Sequence, residues 1–292
     1  MGPAILGVAA PGGGFHVKAA GLALSRPYFA VKVNGNFARN VAAYGLPAIQ
    51  GAIVLFDGEK GSVLAIMDST EITMLRTGAA TAVAATHLAR ADATSVGICG
   101  CGNQGRVQLR ALTRVRRIER VTAFDIDEAR ARAFAVEMSA ELELPIEVGA
   151  APAAVARASD IVVTCTPSRE PFLGPGDVRA GTFLAAVGAD APDKRELDAR
   201  LVASCTIVVD HHRQCAEIGE LHHALEAGLL APSGVHAELG DIVAGVKPGR
   251  TREDEITLFD STGTALEDVA AASVVYERAA GRPGARWLEI AS

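Results

Sequence analysis

The chain lacks several features that would assign it to a specialised class of protein. It has no cluster of basic residues, and its formal net charge is −6. Phosphate contacts require clustered lysine and arginine, so this charge balance argues against nucleic-acid binding. No apolar run reaches the roughly 20 residues of a membrane helix, so we expect no membrane association. The N-terminus has no charged region before its short apolar stretch, which argues against a signal peptide.

Cysteine is also scarce. The five cysteines are an odd number and scattered, and no CxxC or HExxH frame occurs. This pattern argues against a disulfide framework and favours the reducing cytoplasm. Residues 211–223 are rich in histidine, but adjacent histidines point in different directions. We therefore predict a helix cap and an exposed helix there and no metal, with a metal site as the open alternative.

The order of predicted elements divides the chain. Before residue 93, a strand at 28–37, a pair of strands at 50–70 and a helix at 71–90 form a β-rich unit. Beyond it, short apolar strands alternate with amphipathic helices, as in a parallel sheet covered on both faces. We predict an α/β protein with a Rossmann-type doubly wound sheet in residues 93–264. A smaller β-rich domain comprises residues 1–92 and is completed by a C-terminal helix at 265–292.

The stretch GICGCGNQGRVQLRAL, residues 97–112, carries a G-x-G-x-x-G frame between a buried strand and a helix. In this context the glycines permit a tight turn, close approach to a pyrophosphate and close helix–strand packing. The helix N-terminus attracts the phosphates because its N–H groups are free. The predicted dinucleotide-binding residues of this loop are Gly100, Gly102, Asn103, Gln104 and Gly105.

Asp125 is a second, independent signal for a dinucleotide. It ends the next predicted strand, where its carboxylate can accept hydrogen bonds from both adenine-ribose hydroxyls. The same carboxylate repels a 2′-phosphate, and no arginine follows it immediately, so we predict NAD rather than NADP. The alternative is a simple glycine turn followed by a surface aspartate.

Several stretches occur together in one protein family: YFAVKVNGN, DSTEITMLRTGAATAVAATHLA, GCGNQG, VVTCTPS, AAVGADAPDKREL and FDSTGTALEDVAAA. On these, the sequence resembles the ornithine cyclodeaminase/mu-crystallin family over nearly its whole length. The resemblance implies nicotinamide chemistry at the α-carbon of an amino acid or its imine. It also implies that the smaller domain binds substrate and pairs with a second copy in a homodimer.

The resemblance implies three catalytic or substrate-binding roles. Lys32 matches the lysine beside the substrate carboxylate, Arg76 the arginine that clamps it, and Asp190 the acid near the substrate amine. A planar arginine fork suits a carboxylate, and a lysine with a lowered pKa suits proton removal from an amine. Taken singly, each residue has an ordinary alternative: a solvated strand lysine, a surface arginine and a turn-forming aspartate.

Further residues follow from the same resemblance. Family members usually carry an additional N-terminal segment with a second carboxylate-binding arginine, and we hypothesise that Lys18 supplies its charge here. The cofactor-lining positions that the resemblance implies are Thr77, Thr166, Ser168, Val187, Gly188 and Ser261.

We therefore predict an NAD-dependent oxidoreductase that interconverts an α-amino acid and its imine or 2-oxo acid. The alternative is an ornithine cyclodeaminase, which forms proline and ammonia with catalytic NAD. A third possibility is a binding protein, as for mu-crystallin-like relatives, against which Lys32, Arg76 and Asp190 argue. The motifs do not separate the two reactions, because both need the same clamp, base and acid.

Overall fold

The computed structural model describes residues 2–280 and residue 282. The rest of the predicted C-terminal segment, residues 281 and 283–292, lies outside the described residues. The chain forms two compact units. Unit 1 comprises the described residues up to Arg76 and from Thr264 onward, and unit 2 is Thr77–Gly263.

Unit 1 contains an antiparallel meander in which each strand pairs with the next along the chain. Its strands are β1 (Ala4–Ala10), β2 (Gly13–Ala23), β3 (Pro27–Asn36), β4 (Ile49–Asp57) and β5 (Val63–Asp68). Sequence analysis predicted the last three but missed β1 and β2. These two strands are rich in alanine and glycine, so they show neither the alternation of apolar and polar residues nor the β-branched content typical of strands.

A C-terminal helix covers one face of this sheet. Helix α10 (Ala265–Ala279) packs on β2 and β3, and a short helix, α1 (Asn40–Tyr44), follows β3. Alternate strand residues such as Tyr28 and Ala30 meet Val269 and Ala272 of α10 in one buried core. The period of two in the strand and of three to four in the helix places apolar side chains on the facing surfaces.

Unit 2 is built on an eight-stranded sheet whose paired strands are all parallel. The strands are β6 (Ser95–Cys99), β7 (Arg120–Phe124), β8 (Ile146–Val148), β9 (Ile161–Thr164), β10 (Phe183–Ala186), β11 (Thr206–Val209), β12 (Ala237–Glu238) and β13 (Thr257–Asp260). Their order across the sheet is β12-β11-β13-β10-β9-β6-β7-β8.

Seven helices follow or connect these strands: α3 (Asn103–Leu112), α4 (Glu128–Leu142), α5 (Pro152–Ala158), α6 (Ala199–Ala203), α7 (His212–Ile218), α8 (Glu220–Glu226) and α9 (Leu239–Val243). Alternate strand residues point into two separate cores, one on each face. In β9, Val163 joins the core shared with α3 and α4, and Val162 joins the core shared with α6 and α8. The predicted doubly wound α/β fold is thereby confirmed.

Helix α2 (Ser69–Leu88) runs through the division between the units, which falls between Arg76 and Thr77. The boundary predicted from the sequence lies further along the chain, after residue 92. The division falls within α2 because Ala84, Ala85 and Leu88 pack into the core of unit 2. No helix in the described residues combines the length and apolar character needed to cross a membrane.

The strand order reverses direction between β6 and β9. From β6 the chain adds β7 and β8 on one side, and then it returns to place β9 on the other. Loops that leave such a switch point diverge at the carboxyl ends of the strands and open a crevice, which is where open α/β sheets bind ligands.

Candidate functional site

The predicted substrate residues of unit 1 are Lys18, Lys32 and Arg76. Lys32 lies on the same face of β3 as Tyr28 and Ala30, and its side chain is 4% exposed. Its ammonium contacts both carboxylate oxygens of Asp268 in α10, at 2.8 Å from Oδ1 and 2.7 Å from Oδ2.

Arg76 shares the same carboxylate. It lies in α2, is 9% exposed, and donates from Nε to Asp268 Oδ1 at 3.2 Å. Its Nη1 donates to Glu267 Oε2 at 2.9 Å. Two cations from separate elements therefore converge on one buried aspartate, with Glu267 as the more exposed partner of the arginine. The structure brings Lys32 and Arg76 together at this carboxylate.

This environment changes the acidity of Lys32. Burial, followed by the positive charge of Arg76, lowers the pKa of Lys32 to about 7, although Asp268 opposes the shift. Desolvation penalises a charged ammonium and a neighbouring cation repels it, so both effects favour the neutral amine. A lysine with a pKa near 7 can take up or release a proton under physiological conditions.

Lys18 on β2 is the cross-strand neighbour of Lys32 on β3. The two residues are partners in the antiparallel register of β2 and β3, so their side chains project from the same face. Lys18 is half-buried and contributes to the lowered pKa of Lys32. The cluster therefore holds three basic side chains and two acidic ones.

Sequence analysis missed Glu267 and Asp268. Both follow the FDSTG motif, in the segment ALEDVAA. The available signal was an aspartate next to Val269, three residues after Ala265 and four before Ala272, on the apolar face of a helix otherwise rich in alanine. Acidic residues are rarely fully buried unless paired, so this position pointed to a cationic partner.

In unit 2 the glycine loop connects β6 to α3 as predicted. Gly100 has a φ of +108°, and a Cβ there would lie 2.8 Å from the carbonyl oxygen of Cys165. A Cβ on Gly105 would lie 2.2 Å from the carbonyl oxygen of Gly100. Gly102 precedes α3, and no other heavy atom of the described chain lies within 4 Å of its Cβ position. The loop thus needs glycine to fold and leaves backbone open at the helix N-terminus.

Asp125 follows β7 and closes one side of this loop. Its Oδ2 accepts a hydrogen bond from the backbone N–H of Cys101 at 2.9 Å, and its Oδ1 accepts one from Asp127 N–H at 3.0 Å. No arginine immediately follows Asp125 in the sequence. The structure nevertheless brings Arg130 to 3.5 Å from Asp125, where the arginine also lies 3.6 Å from Asp127. The net local charge stays negative.

A cavity of about 550 Å³ opens at this edge of the sheet. Its walls are formed by the glycine loop, by Asp125, and by the segment after β9 that contains Thr166 and Ser168. Apolar walls complete it, among them Ile126, which is 96% exposed. The open backbone at Gly102, the acceptor oxygens of Asp125 and the apolar walls fit the pyrophosphate, ribose and adenine of NAD.

A buried glutamate, Glu196, accepts hydrogen bonds from the segment after β9. Thr166 donates to Glu196 Oε1 from its backbone N–H at 2.6 Å and from its hydroxyl at 2.7 Å. Gly188, which follows β10, donates its N–H to Glu196 Oε2 at 3.1 Å. Glu196 belongs to the AAVGADAPDKREL motif, but the sequence gives no signal of this role.

The other predicted residues of unit 2 lie in segments that follow strands or on α2. Val187 follows β10 and its N–H bonds the carbonyl of Thr164 at 2.9 Å. Ser261 follows β13 and donates to Asp210 at 3.2 Å. Asp190 is exposed and lies 2.5 Å from the ammonium of Lys194, while Thr77 is buried in α2.

The histidine-rich stretch contains a helix cap. His211 precedes α7, and its Nδ1 accepts from the N–H of Gln214 at 3.3 Å. Further along the chain, the ring nitrogen and carboxylate oxygen atoms of His222, His223 and Glu226 that could bind a metal ion lie within 4.8 Å of one another. The rings of these two histidines hydrogen-bond to the backbone carbonyls of Ala216 and Lys194, respectively.

The lowered pKa of Lys32 predicts a pH-dependent stability. Between pH about 7 and 10.5, the unfolded chain keeps the Lys32 proton and the folded chain has released it. Stability therefore rises with pH in this window, by up to about 1.4 kcal/mol per unit. We expect Lys32→Met to remove this rise, measured as the free energy of unfolding in urea from pH 6 to 10. Lys60→Met, at an exposed lysine, should parallel the wild type; parallel curves for Lys32→Met would contradict the prediction.

Comparison with known proteins identifies relatives that match most of the chain. The sequence is 43% identical to alanine dehydrogenase of Archaeoglobus fulgidus over 235 residues, which are 80% of this chain and 72% of that protein. The structure matches an archaeal alanine dehydrogenase dimer with bound NAD at a TM-score of 0.90 and 39% identity, covering 95% of this chain and 84% of that one.

A second solved structure is similarly close. It is the Δ1-pyrroline-2-carboxylate reductase of Thermococcus litoralis in complex with NADH and L-proline, with a TM-score of 0.89 and 37% identity. The alignment covers 95% of this chain and 86% of that one. The sequence profile of the ornithine cyclodeaminase/mu-crystallin family matches residues 13–282, which include the glycine loop and the Lys32–Arg76–Asp268 cluster. The chain therefore belongs to the ornithine cyclodeaminase/mu-crystallin family.

Proposed function

We propose that the protein is an NAD-dependent oxidoreductase that interconverts an α-amino acid and its imine or 2-oxo acid. The observation that carries this proposal is the buried pair of Lys32 and Arg76 on Asp268. It combines a carboxylate-binding fork with a base whose pKa is about 7. The relatives named above, an alanine dehydrogenase and an imine reductase, support the same class of reaction.

Arg76 binds the substrate carboxylate in this proposal. Its guanidinium donates in a planar fork, which matches a carboxylate, and Asp268 holds the Nε side of that fork in place. Glu267, whose side chain is 22% exposed, is the partner that a substrate carboxylate replaces. Charge balance favours the exchange, because one carboxylate takes the place of another.

Lys32 handles the proton of the substrate amine. An α-amine must be neutral before its α-carbon can lose hydride, so oxidation requires Lys32 to accept a proton, and reduction requires it to return one. The shared carboxylate of Asp268 stabilises the ammonium form without preventing its deprotonation near pH 7. By the family resemblance, Asp190 is the proposed partner of the positively charged imine or amine.

Unit 2 holds NAD through the glycine loop and Asp125. The cavity beside them also presents Thr166 and Ser168, and Thr77, Val187, Gly188 and Ser261 complete the proposed cofactor residues. When bound, NAD accepts a hydride from the substrate α-carbon or, as NADH, donates one. The negative charge of Asp125 disfavours a 2′-phosphate, and Arg130 is already engaged with Asp125 and Asp127.

The reaction class is tested by measuring net redox change. We expect NADH oxidation at 340 nm with a 2-oxo acid plus ammonium or with a cyclic imino acid, with one NADH consumed per amino acid formed. L-Ornithine with trace NAD⁺ should form no excess proline by mass spectrometry. Proline far in excess of NAD⁺, without NADH accumulation, would instead establish a cyclodeaminase. Failure to bind any nucleotide would favour a binding protein.

Lys18 is proposed as an additional carboxylate ligand. Because Lys18 lies beside Lys32 in the register, its charge reaches the same face of the sheet. We expect Lys18→Ala to raise the KM for the amino or imino acid about tenfold and to leave the KM for NADH unchanged, since charged hydrogen bonds contribute about 1.5–3 kcal/mol. Arg76→Lys is the positive control and should raise the substrate KM further. An unchanged substrate KM in Lys18→Ala would remove Lys18 from the site.

We also propose that a homodimer is the working form, in the reducing cytoplasm. All five cysteines lie within the described residues as free thiols, which supports such a compartment.

Strand β1 lies at the sheet edge, and its apolar side chains are exposed on both faces, including Ile5, Leu6 and Val8. A long apolar edge strand pairs readily with another chain, and a second copy is the proposed occupant.

The dimer is tested by light scattering after size exclusion. We expect twice the chain mass of 30.1 kDa for the wild type and a shift toward monomer for Leu6→Asp. Val136→Asp, at an exposed valine of α4 in unit 2, is the control and should remain dimeric. A monomeric wild type would refute the proposal.

A further inference from the structure

We propose that Glu196 is a positioning residue that holds the cofactor-binding segments after β9 and β10 in their binding-competent arrangement. This proposal rests on the proposed function, because it concerns how tightly the chain binds NAD. Glu196 is fully buried and lies beneath the cavity wall rather than in it. Its effect therefore acts through the residues that it holds.

The geometry of the donors requires a carboxyl group. Oε1 accepts the backbone N–H of Thr166 at 2.6 Å, and Oε2 accepts the backbone N–H of Gly188 at 3.1 Å. Backbone N–H groups only donate, so both side-chain oxygens must be acceptors. Glutamine offers one oxygen and one NH₂ group, and it cannot accept both bonds in either orientation.

Two more hydroxyls complete the arrangement. Thr164, the last residue of β9, donates its hydroxyl to Oε2 at 2.6 Å, and Thr166 donates its hydroxyl to Oε1 at 2.7 Å. Burial raises the pKa of Glu196, while these donated bonds oppose the shift. Four donors thus meet one side chain, and they come from the ends of two adjacent strands.

The position of Gly188 is a separate sign of this close contact. A Cβ there would lie 2.6 Å from the carboxyl carbon of Glu196 and 2.4 Å from the carbonyl oxygen of Thr166. Only glycine allows the backbone after β10 to approach the carboxyl group this closely. The three residues therefore form one interlocked unit under the cavity.

Glu196 is itself fixed by a second buried acid. Glu220 in α8 accepts the backbone N–H of Glu196 at 2.6 Å and that of Leu197 at 3.2 Å. Leu197 also forms a parallel bridge with Leu173. Because the backbone beneath it is anchored in this way, the Glu196 carboxyl can act as a fixed point for the two segments above it.

The consequence is a coupling between one buried side chain and cofactor affinity. If the segments leave their arrangement, only a fraction of molecules can bind, and the apparent affinity falls by that fraction. Thr166 lines the cavity directly, so loss of its two bonds to Glu196 affects the wall itself.

The test measures NADH binding to the full chain by isothermal titration calorimetry, together with the melting temperature of each unliganded protein. We expect Glu196→Gln to raise the NADH Kd by about ten- to a hundredfold. Thr164→Val removes a single hydroxyl donor outside the cavity wall, so it should raise the Kd severalfold. This milder variant keeps the test valid if Glu196→Gln fails to fold.

Asp160→Asn is the matched control. Asp160 is a buried carboxylate at the opposite end of β9, where it accepts the N–H groups of Thr94 and Ser95 and pairs with Arg90. We expect Asp160→Asn to lower the melting temperature and to keep the NADH Kd within about twofold of wild type. This separates a positioning role from general loss of stability.

The outcomes discriminate clearly. Wild-type NADH affinity in Glu196→Gln and Thr164→Val, or equal losses in Asp160→Asn, would overturn the positioning role alone. Absence of NADH binding by the wild-type protein would overturn the proposed function and this inference with it.

Discussion

The chemistry of unit 1 depends on one buried carboxylate. Asp268 contacts the ammonium of Lys32 and the guanidinium of Arg76, and all three groups are largely removed from water. Burying such charges is costly, and it is tolerated only when the partners are close and well oriented. The aspartate therefore orients the arginine, while its charge limits how far the pKa of the lysine falls. Because Asp268 lies on α10, this helix contributes to the charge cluster as well as to the core.

In unit 2, carboxyl groups also stabilise the backbone at the carboxyl ends of the strands. Parallel strands direct all of these ends to one edge, where the connecting loops carry backbone polar groups that need partners. Glu196 supplies acceptors for the segments after β9 and β10, and Asp125 supplies one for the glycine loop. The cavity wall thus consists of irregular backbone that buried or half-buried carboxyl groups hold in place.

Local patterns were sufficient for much of this architecture. Alternation of apolar strands and amphipathic helices predicted the doubly wound sheet, and the glycine frame predicted the tight turn between β6 and α3. Prediction failed where a segment has no period, as in β1 and β2. Their alanine and glycine residues gain strand structure only by pairing in register, β2 with β3 and β1 with β2. The predicted domain boundary follows residue 92, whereas the two compact units divide within α2, because a continuous helix carries no local mark of where its packing partners change.

Residue types and their local order can be read directly along the chain: a glycine loop before a helix, an acid after the next strand, and a lysine and an arginine in motifs shared with a family. Which of these charges meet depends on the fold. Positions 32, 76 and 268 are far apart along the chain, and neither their contact nor the pKa of about 7 for Lys32 can be read from spacing. The same holds for Glu196, whose donors come from residues 164, 166 and 188. Desolvation and charge–charge distance are properties of the folded chain, so only the fold could determine these interactions.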